Sequence, residues 1–311
     1  MRAVAVVERT VACYKRGVRI TDILQKAKSE NRPVFSFEFF PPKNEAGQAA
    51  LASSIAALRP LHPDFCSVTY GAGGSTQSLT RDLLVRMRQE TGITPMAHLT
   101  CVGHTRAELR TVLTDFRAAG IHNVLALRGD PPKGVAHFEP TPGGLSYASE
   151  LTQLARQEFD LCVGGACYPE GHVEQRSLEL NVTHAREKVN AGAEFLITQL
   201  FFEPRTYFDY VARLRGAGIY VPIIPGIMPI TDVGQVERFT SLCGAAIPER
   251  LRAELQAARD DKLATLQLGI AYATHQAGRL LEGGAPGVHF YTLNRSASTR
   301  AILAALRATY V

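Results

Sequence analysis

From residue 34 onward the chain alternates short, nearly continuous apolar runs with longer stretches in which apolar residues recur every three or four positions. Runs of the first kind, rich in β-branched and aromatic residues, predict strands buried on both faces, and the second spacing predicts amphipathic helices. The strands expected are VFSFEFF (34–40), FCSVTY (65–70), TPMAHLT (94–100), NVLALRGD (123–130), DLCVGGACY (160–168), EFLITQLF (194–201), VPIIPGIM (221–228) and GVHFYTL (287–293). Between them lie helical patterns such as RDLLVRMRQ, RAELRTVLTDFRAAG and QRSLELNVTHAREKVNAG. Glycine closes several of these just before the next strand, at Ala119-Gly120, Ala191-Gly192 and Ala217-Gly218, where a left-handed residue is needed to turn the chain back.

Eight strands in strict alternation with helices read as parallel βα units. A closed (β/α)8 TIM barrel and an open doubly wound sheet share that alternation. The count of eight favours the barrel, as does the lack of a G-x-G-x-x-G turn after the first strand. Polar residues also gather at the C-terminal ends of the strands, where barrels build their sites: Glu38, Thr69, His98, Asp130, Tyr168, Gln199 and Tyr291. The stretch 245–286 breaks the simple repeat and predicts two extra helices before the last strand. ITDILQKAKSE, ahead of the first strand, predicts a helix closing the barrel bottom. The organisation expected is one barrel domain over residues 1–311, with 1–30 as a helical extension.

Composition adds limits. With 46% hydrophobic and 20% charged residues, the chain fits a globular enzyme with a large core. Its 34 basic and 29 acidic residues leave a net charge of +5, and the basic residues are scattered. That suits anionic small molecules better than nucleic acid, and no nucleic-acid partner is expected. No apolar run reaches eighteen residues, so no membrane span is expected. The six cysteines contain no C-x-x-C pair, which points to a reducing cytoplasm and to no metal or disulfide framework.

Five segments carry candidate chemistry. In FSFEFFPP (35–42), Glu38 stands between Phe37 and Phe39 in an apolar strand that Pro41-Pro42 ends. Burial favours a carboxyl's proton-donating form, which suits a general acid; a structural ion-paired glutamate is the equal alternative. In LRGDPP (127–132), Asp130 follows a glycine that lets backbone approach a ligand, or else it caps a loop. SVTYGAGGST (67–76) joins a strand to a helix through a glycine-rich turn able to cradle a phosphate, a common feature of βα turns. Nearby, His98 in AHLT reads equally as a core histidine. After ACYPEGH (166–172), Asn181, His184 and Lys188 share one helix face, turned either to solvent or to an anionic cofactor tail. In LITQLFFEP (196–204), Gln199 places a bidentate amide in an apolar strand, suited to an amino-pyrimidine edge.

In this order, FSFEFFPPK, SVTYGAGG, HLTC, LALRGDPP, YASEL, YPEGH, AREKVNAGA, ITQLFFE, PIIPGIMPI and HFYTLNR resemble the methylenetetrahydrofolate reductase family over roughly residues 30–311. The resemblance implies an FAD-carrying β/α barrel that reduces 5,10-methylenetetrahydrofolate to 5-methyltetrahydrofolate with NAD(P)H in a ping-pong cycle. It matches a catalytic domain without the regulatory domain of eukaryotic members, and implies a cytoplasmic homo-oligomer acting on small molecules. By motif, Glu38 becomes the acid that opens the folate ring, and Asp130 sits near flavin and pterin. Flavin contacts fall on Thr69, Tyr70, His98, Arg128, Gly129, Asp130, Tyr147, Ala148, Tyr168, His172, Asn181, His184 and Lys188. Thr69, Gln199, Gln235, Phe239, Tyr291 and Arg295 fall on the substrate side. Many members carry Asp where Asn181 stands, so flavin contacts there are expected to be weakened but retained. No nucleotide-ribose reader is identifiable, so NADH, NADPH and a protein electron donor are not separated.

The rivals are a proline-dehydrogenase-like flavin barrel, a metal-dependent barrel hydrolase and a non-catalytic flavin- or folate-binding barrel. The first lacks FEFFPP and ITQLFF. The second needs an H-x-H cluster, absent here. The presence of both Glu38 and Asp130 counts against the third.

Overall fold

The computed structural model describes residues 17–310 apart from 43, 71–76, 132–133 and 135–137. In chain order its elements are α1 (Ile20–Ser29), β1 (Val34–Phe39), α2 (Glu45–Leu58), β2 (Phe65–Val68), α3 (Gln77–Thr91), β3 (Thr94–Thr100), α4 (Arg106–Ala118), β4 (Asn123–Leu127), α5 (Ala148–Phe159) and β5 (Cys162–Cys167). They continue as α6 (Leu178–Asn190), β6 (Phe195–Thr198), α7 (Pro204–Gly216), β7 (Ile223–Ile224), β8 (Gly226–Ile227), α8 (Val233–Cys243), α9 (Glu249–Ala257), α10 (Lys262–Glu282), β9 (Gly287–Tyr291) and α11 (Ser296–Tyr310). Every strand pairing is parallel, in the order β7-β6-β5-β4-β3-β2-β1-β9-β8.

The nine strands correspond to the eight expected runs, because the seventh is split at Pro225. Proline has no N–H to give to a ladder. The half before it pairs with β6 and the half after it pairs with β9, while the Pro225 carbonyl accepts from the His289 N–H at 2.9 Å. The strand thus changes neighbours at the proline and brings the sheet round to a nearly closed barrel. The expected helix-ending glycines hold left-handed φ values of 75° at Gly120, 112° at Gly192 and 80° at Gly218. Two helices, α9 and α10, precede the last strand as the sequence predicts, and α8 stands before them.

Strand alternation sends residues of one parity outward and the other inward. Phe35, Phe37 and Phe39 pack outward with Leu51, Ile55, Leu113 and Leu303 from the helix layer. Val34, Phe65, Met96, Leu125, Phe195 and Ile197 fill the lower barrel, where Ile20, Leu24 and Ala27 of α1 plug the bottom. The plug is tied on by buried Asn123. Its Oδ1 accepts from the Ile20 N–H at 2.8 Å, and its Nδ2 donates to the carbonyls of Val18 (3.0 Å) and Pro95 (3.1 Å). Asn123→Ala strands these groups together, so a loss of about 2–4 kcal/mol is expected. Urea unfolding of the two proteins measures it; an unchanged midpoint contradicts the role given to this amide.

Among the described residues, no helix is long and apolar enough to cross a membrane. Cys66, Cys101, Cys162, Cys167 and Cys243 are free thiols, all but the last buried.

Candidate active site

At the C-terminal rim of the barrel lies a cavity of about 440 Å³. Twelve expected residues line it: Glu38, Thr69, Tyr70, His98, Arg128, Gly129, Asp130, Tyr168, His172, Gln199, Phe239 and Tyr291. A second cavity of about 210 Å³ is lined by Tyr147, Ala148, Asn181, His184 and Lys188. Arg128, Tyr168 and His172 line both, so the two form an elongated cleft. Gln235 and Arg295 line neither. They meet instead through Thr231, which accepts from Arg295 Nη1 at 3.0 Å and lies 3.3 Å from Gln235 Oε1.

Glu38 points into the barrel, and its sequence neighbours Phe37 and Phe39 point away from it. The expectation of a carboxyl wrapped by those two rings is therefore corrected by the pleat of β1. Its surroundings are polar instead. Its Oε2 lies 3.4 Å from His98 Nε2 and 3.5 Å from His289 Nε2. Beneath it, His289 Nδ1 shares a 2.8 Å hydrogen bond with Ser36, and Ser67 Oγ lies 3.5 Å from His289 Nε2. His289 is completely buried. The sequence reading passed over His289, Ser36 and Ser67. Their signal was the two-residue period: Ser36 and Glu38 share an inward face, as do His289 and Tyr291.

Among the described residues, two buried polar atoms on the cavity wall have no hydrogen-bond partner, His98 Nε2 and Thr100 Oγ1. Although 3.4 Å from Glu38 Oε2, the His98 nitrogen makes no hydrogen bond to it. Unpaired buried groups are costly, and a ligand with hydrogen-bonding edges would relieve both. Tyr291 donates to the Thr198 carbonyl at 2.6 Å, and burial followed by the charge of Glu38 pushes its phenol well above the usual range. Gln199 lies just past β6, half-buried, with its Oε1 accepting from the Leu200 N–H at 2.8 Å.

Along the second cavity, Arg128 forms a bidentate ion pair with Glu174 at 2.7 and 2.8 Å and stacks on Phe138. Lys188 donates to the Ala166 carbonyl at 2.7 Å, and burial lowers its pKa. The 181/184/188 face lines this cavity, with Asn181 buried, Lys188 half-buried and His184 exposed. Asn181 is committed elsewhere: Oδ1 accepts from the His172 N–H at 3.2 Å, and Nδ2 donates to the Gln175 and Ser177 carbonyls, each at 2.7 Å. A carboxylate could not make the last two bonds. Asn181 thus shapes the 172–177 loop, which refines the expectation of a weakened ligand contact.

Gly129 has φ 90°, and a Cβ there would come within 2.5 Å of Val102 Cγ1. The close approach expected at this glycine is to β3 and the turn after it. Asp130 follows on the exposed rim. The glycine-rich turn at 71–76, read as a phosphate cradle, lies outside the described residues.

Histidines His98, His104, His122 and His172 all sit below the ordinary value of 6.5, in each case first because of burial. The unfolded chain therefore binds more protons than the folded one below pH 6.5, and stability falls as pH drops through that window. Glu170, raised from 4.5 by burial, acts oppositely but over a lower range. The thermal midpoint is expected to fall by roughly several degrees between pH 7.5 and 5.5. Calorimetry across that range checks it, and a flat or rising midpoint contradicts it.

The comparisons with known proteins fit this geometry. The family model described as methylenetetrahydrofolate reductase matches residues 22–307. The chain belongs to the methylenetetrahydrofolate reductase family. It is 36% identical over 299 residues to the Arabidopsis thaliana protein named methylenetetrahydrofolate reductase (NADH) 1, covering 92% of this chain and 50% of that one. To the 5,10-methylenetetrahydrofolate reductase of Escherichia coli it is 36% identical over 267 residues, 86% of this chain and 88% of the relative. The chain thus spans about half the length of the plant relatives. Among solved structures, a Clostridium thermocellum protein described as binding two copies of 5-methyl-5,6,7,8-tetrahydrofolic acid matches with a TM-score of 0.64 at 18% identity. That match covers 92% of this chain and 98% of that one, and it bears on the fold alone.

Proposed function

We propose that this chain is a cytoplasmic flavoenzyme that reduces 5,10-methylenetetrahydrofolate to 5-methyltetrahydrofolate, with NADH or NADPH as electron donor. The observation that carries this reading is Glu38, buried at the inner end of the rim cavity in a chain of this family. The elongated cleft and the two unpartnered polar atoms on its wall suit FAD, whose ring system would fill the larger cavity and whose tail would fill the smaller one.

Thr69, Tyr70, His98, Gly129 and Tyr168 would hold the ring system, with Arg128, His172, Tyr147, Ala148, His184 and Lys188 along the tail. When bound, FAD supplies hydride transfer from the nucleotide to the folate. Glu38 holds a proton where the folate's five-membered ring must open, and gives it to the ring nitrogen to leave an iminium carbon. Asp130, on the rim of the cavity, favours that cation by its charge. Gln199 offers a carboxamide to the pterin edge, or to nicotinamide when that occupies the same place. Phe239 supplies a ring to stack on either, and Tyr291, braced on Thr198, bounds the folate side. Gln235 and Arg295 act through Thr231 at the start of α8.

The test is product formation. Protein reconstituted with FAD is given methylenetetrahydrofolate and each nucleotide in turn, and 5-methyltetrahydrofolate is measured by chromatography with mass detection. Product with at least one nucleotide is expected. None with either overturns the proposal.

A further inference from the structure

The helix that presents Phe239 to the cavity is fastened at its two ends by different means. Its first turn is capped by Asp232, which accepts from the Gln235 N–H at 2.7 Å, and it buries Val233 and Val236 among Leu200, Ile230 and Leu251. Its last turn is held more loosely: Thr240 is buried, but Leu242 is 62% exposed and Cys243 only half-buried. Nor does α8 carry a basic residue in that turn to meet the negative end of the helix.

Two charged side chains from elsewhere hold the chain there, and one of them, Arg176, is the cation that meets that end. Gly244, left-handed at φ 76°, ends the helix, and its carbonyl accepts from Arg176 Nη1 at 2.8 Å. The guanidinium lies close against the glycine, so that a Cβ there would fall 2.1 Å from Nη2. Two residues on, the Ala246 N–H donates to the Glu170 carboxylate, 3.2 and 3.4 Å from its two oxygens. Glu170 and Arg176 both belong to the segment between β5 and α6. That segment also contributes Tyr168 and His172 to the cleft, and Asn181 fixes its course. Charge-assisted bonds to backbone thus join the wall that carries Tyr168 and His172 to the wall that carries Phe239 and Leu242.

We propose that Glu170 and Arg176 form a clamp that positions the last turn of α8, and so sets how closely Phe239 and Leu242 approach a bound substrate. They are positioning residues and touch no reacting atom. The kinetic consequence rests on the reductase reading above; the structural one does not.

The experiment compares the full chain with its Arg176→Ala, Arg176→Lys and Glu170→Gln variants by amide hydrogen exchange and by steady-state kinetics. In Arg176→Ala, exchange over residues 237–246 is expected to rise about fivefold, with that over 178–190 unchanged. Arg176→Lys should restore part of the protection, since it keeps the charge but not the planar fork. The KM for methylenetetrahydrofolate is expected to rise about fivefold with kcat within about twofold, the pattern of lost binding. Unchanged exchange over 237–246 in both Arg176→Ala and Glu170→Gln overturns the clamp. A fall in kcat at constant KM overturns its positioning role. If exchange rises as expected while wild-type protein makes no methylfolate, the clamp stands and the reductase reading falls.

Discussion

Glu38→Gln is expected to leave reduction of bound flavin by the nucleotide close to wild type while folate reduction falls by roughly 10²–10⁴-fold, the usual worth of a positioned general acid. The substitution keeps the shape of the side chain and its place beside His98 and His289, but removes the proton that must reach the folate. Nothing about nucleotide binding asks for that proton. Stopped-flow measurement of each half-reaction separates the two effects. A variant that still turns over folate normally would remove Glu38 from the mechanism. An equal loss in both halves would mean that it shapes the cavity floor and is not an acid.

Asp130→Asn is the second large effect. Asp130 sits on the exposed rim of the same cavity, preceded by a glycine whose left-handed backbone is packed against Val102. The packed glycine places its backbone at the rim, and the carboxylate itself is exposed. A carboxylate at about 6 Å from a developing cation, at an effective dielectric of ~20, contributes about 2–3 kcal/mol. Folate reduction should slow by roughly 10–100-fold, and nucleotide oxidation by less, since the cation forms only on the folate. Rapid-reaction kinetics of both halves is again the readout. If both slow by the same factor, the charge acts on the cofactor or on the fold, and the role given to it fails.

Much of the architecture was legible because burial on both faces leaves a plain mark. The strand read at 94–100 has those bounds in the structure, and the helix expected from ITDILQKAKSE plugs the barrel. Several other strands were read too long at their C-terminal ends. At 65–70 and 123–130 the rim residues Thr69 and Asp130 continue the pattern in sequence after the ladder has ended. The break at Pro225 follows from proline's missing N–H, but which neighbour each half would choose depends on barrel closure, a property of all the strands together.

The site was legible as a set of rim residues and less so as a network. Motif order brought twelve of the named residues to one cavity, whereas the arrangement beneath Glu38 required the alternation of β1 and β9 to be read side by side. Helical spacing put Asn181, His184 and Lys188 on one face, but could not tell that Asn181 spends its amide on the 172–177 loop. Arg176 and Glu170 escaped notice for a related reason: their partners are the backbone of Gly244 and Ala246, and backbone atoms leave no residue-type signal.

The most direct test of the central claim is an anaerobic absorbance titration of the purified protein loaded with FAD. NADH, then NADPH, then methylenetetrahydrofolate is added while the yellow flavin band is followed. The account predicts that at least one nucleotide bleaches the band and that the folate restores it, so that both halves of the reaction are seen in one cuvette. A protein that cannot be loaded with FAD, or a bleached band that methylenetetrahydrofolate leaves unchanged, contradicts it.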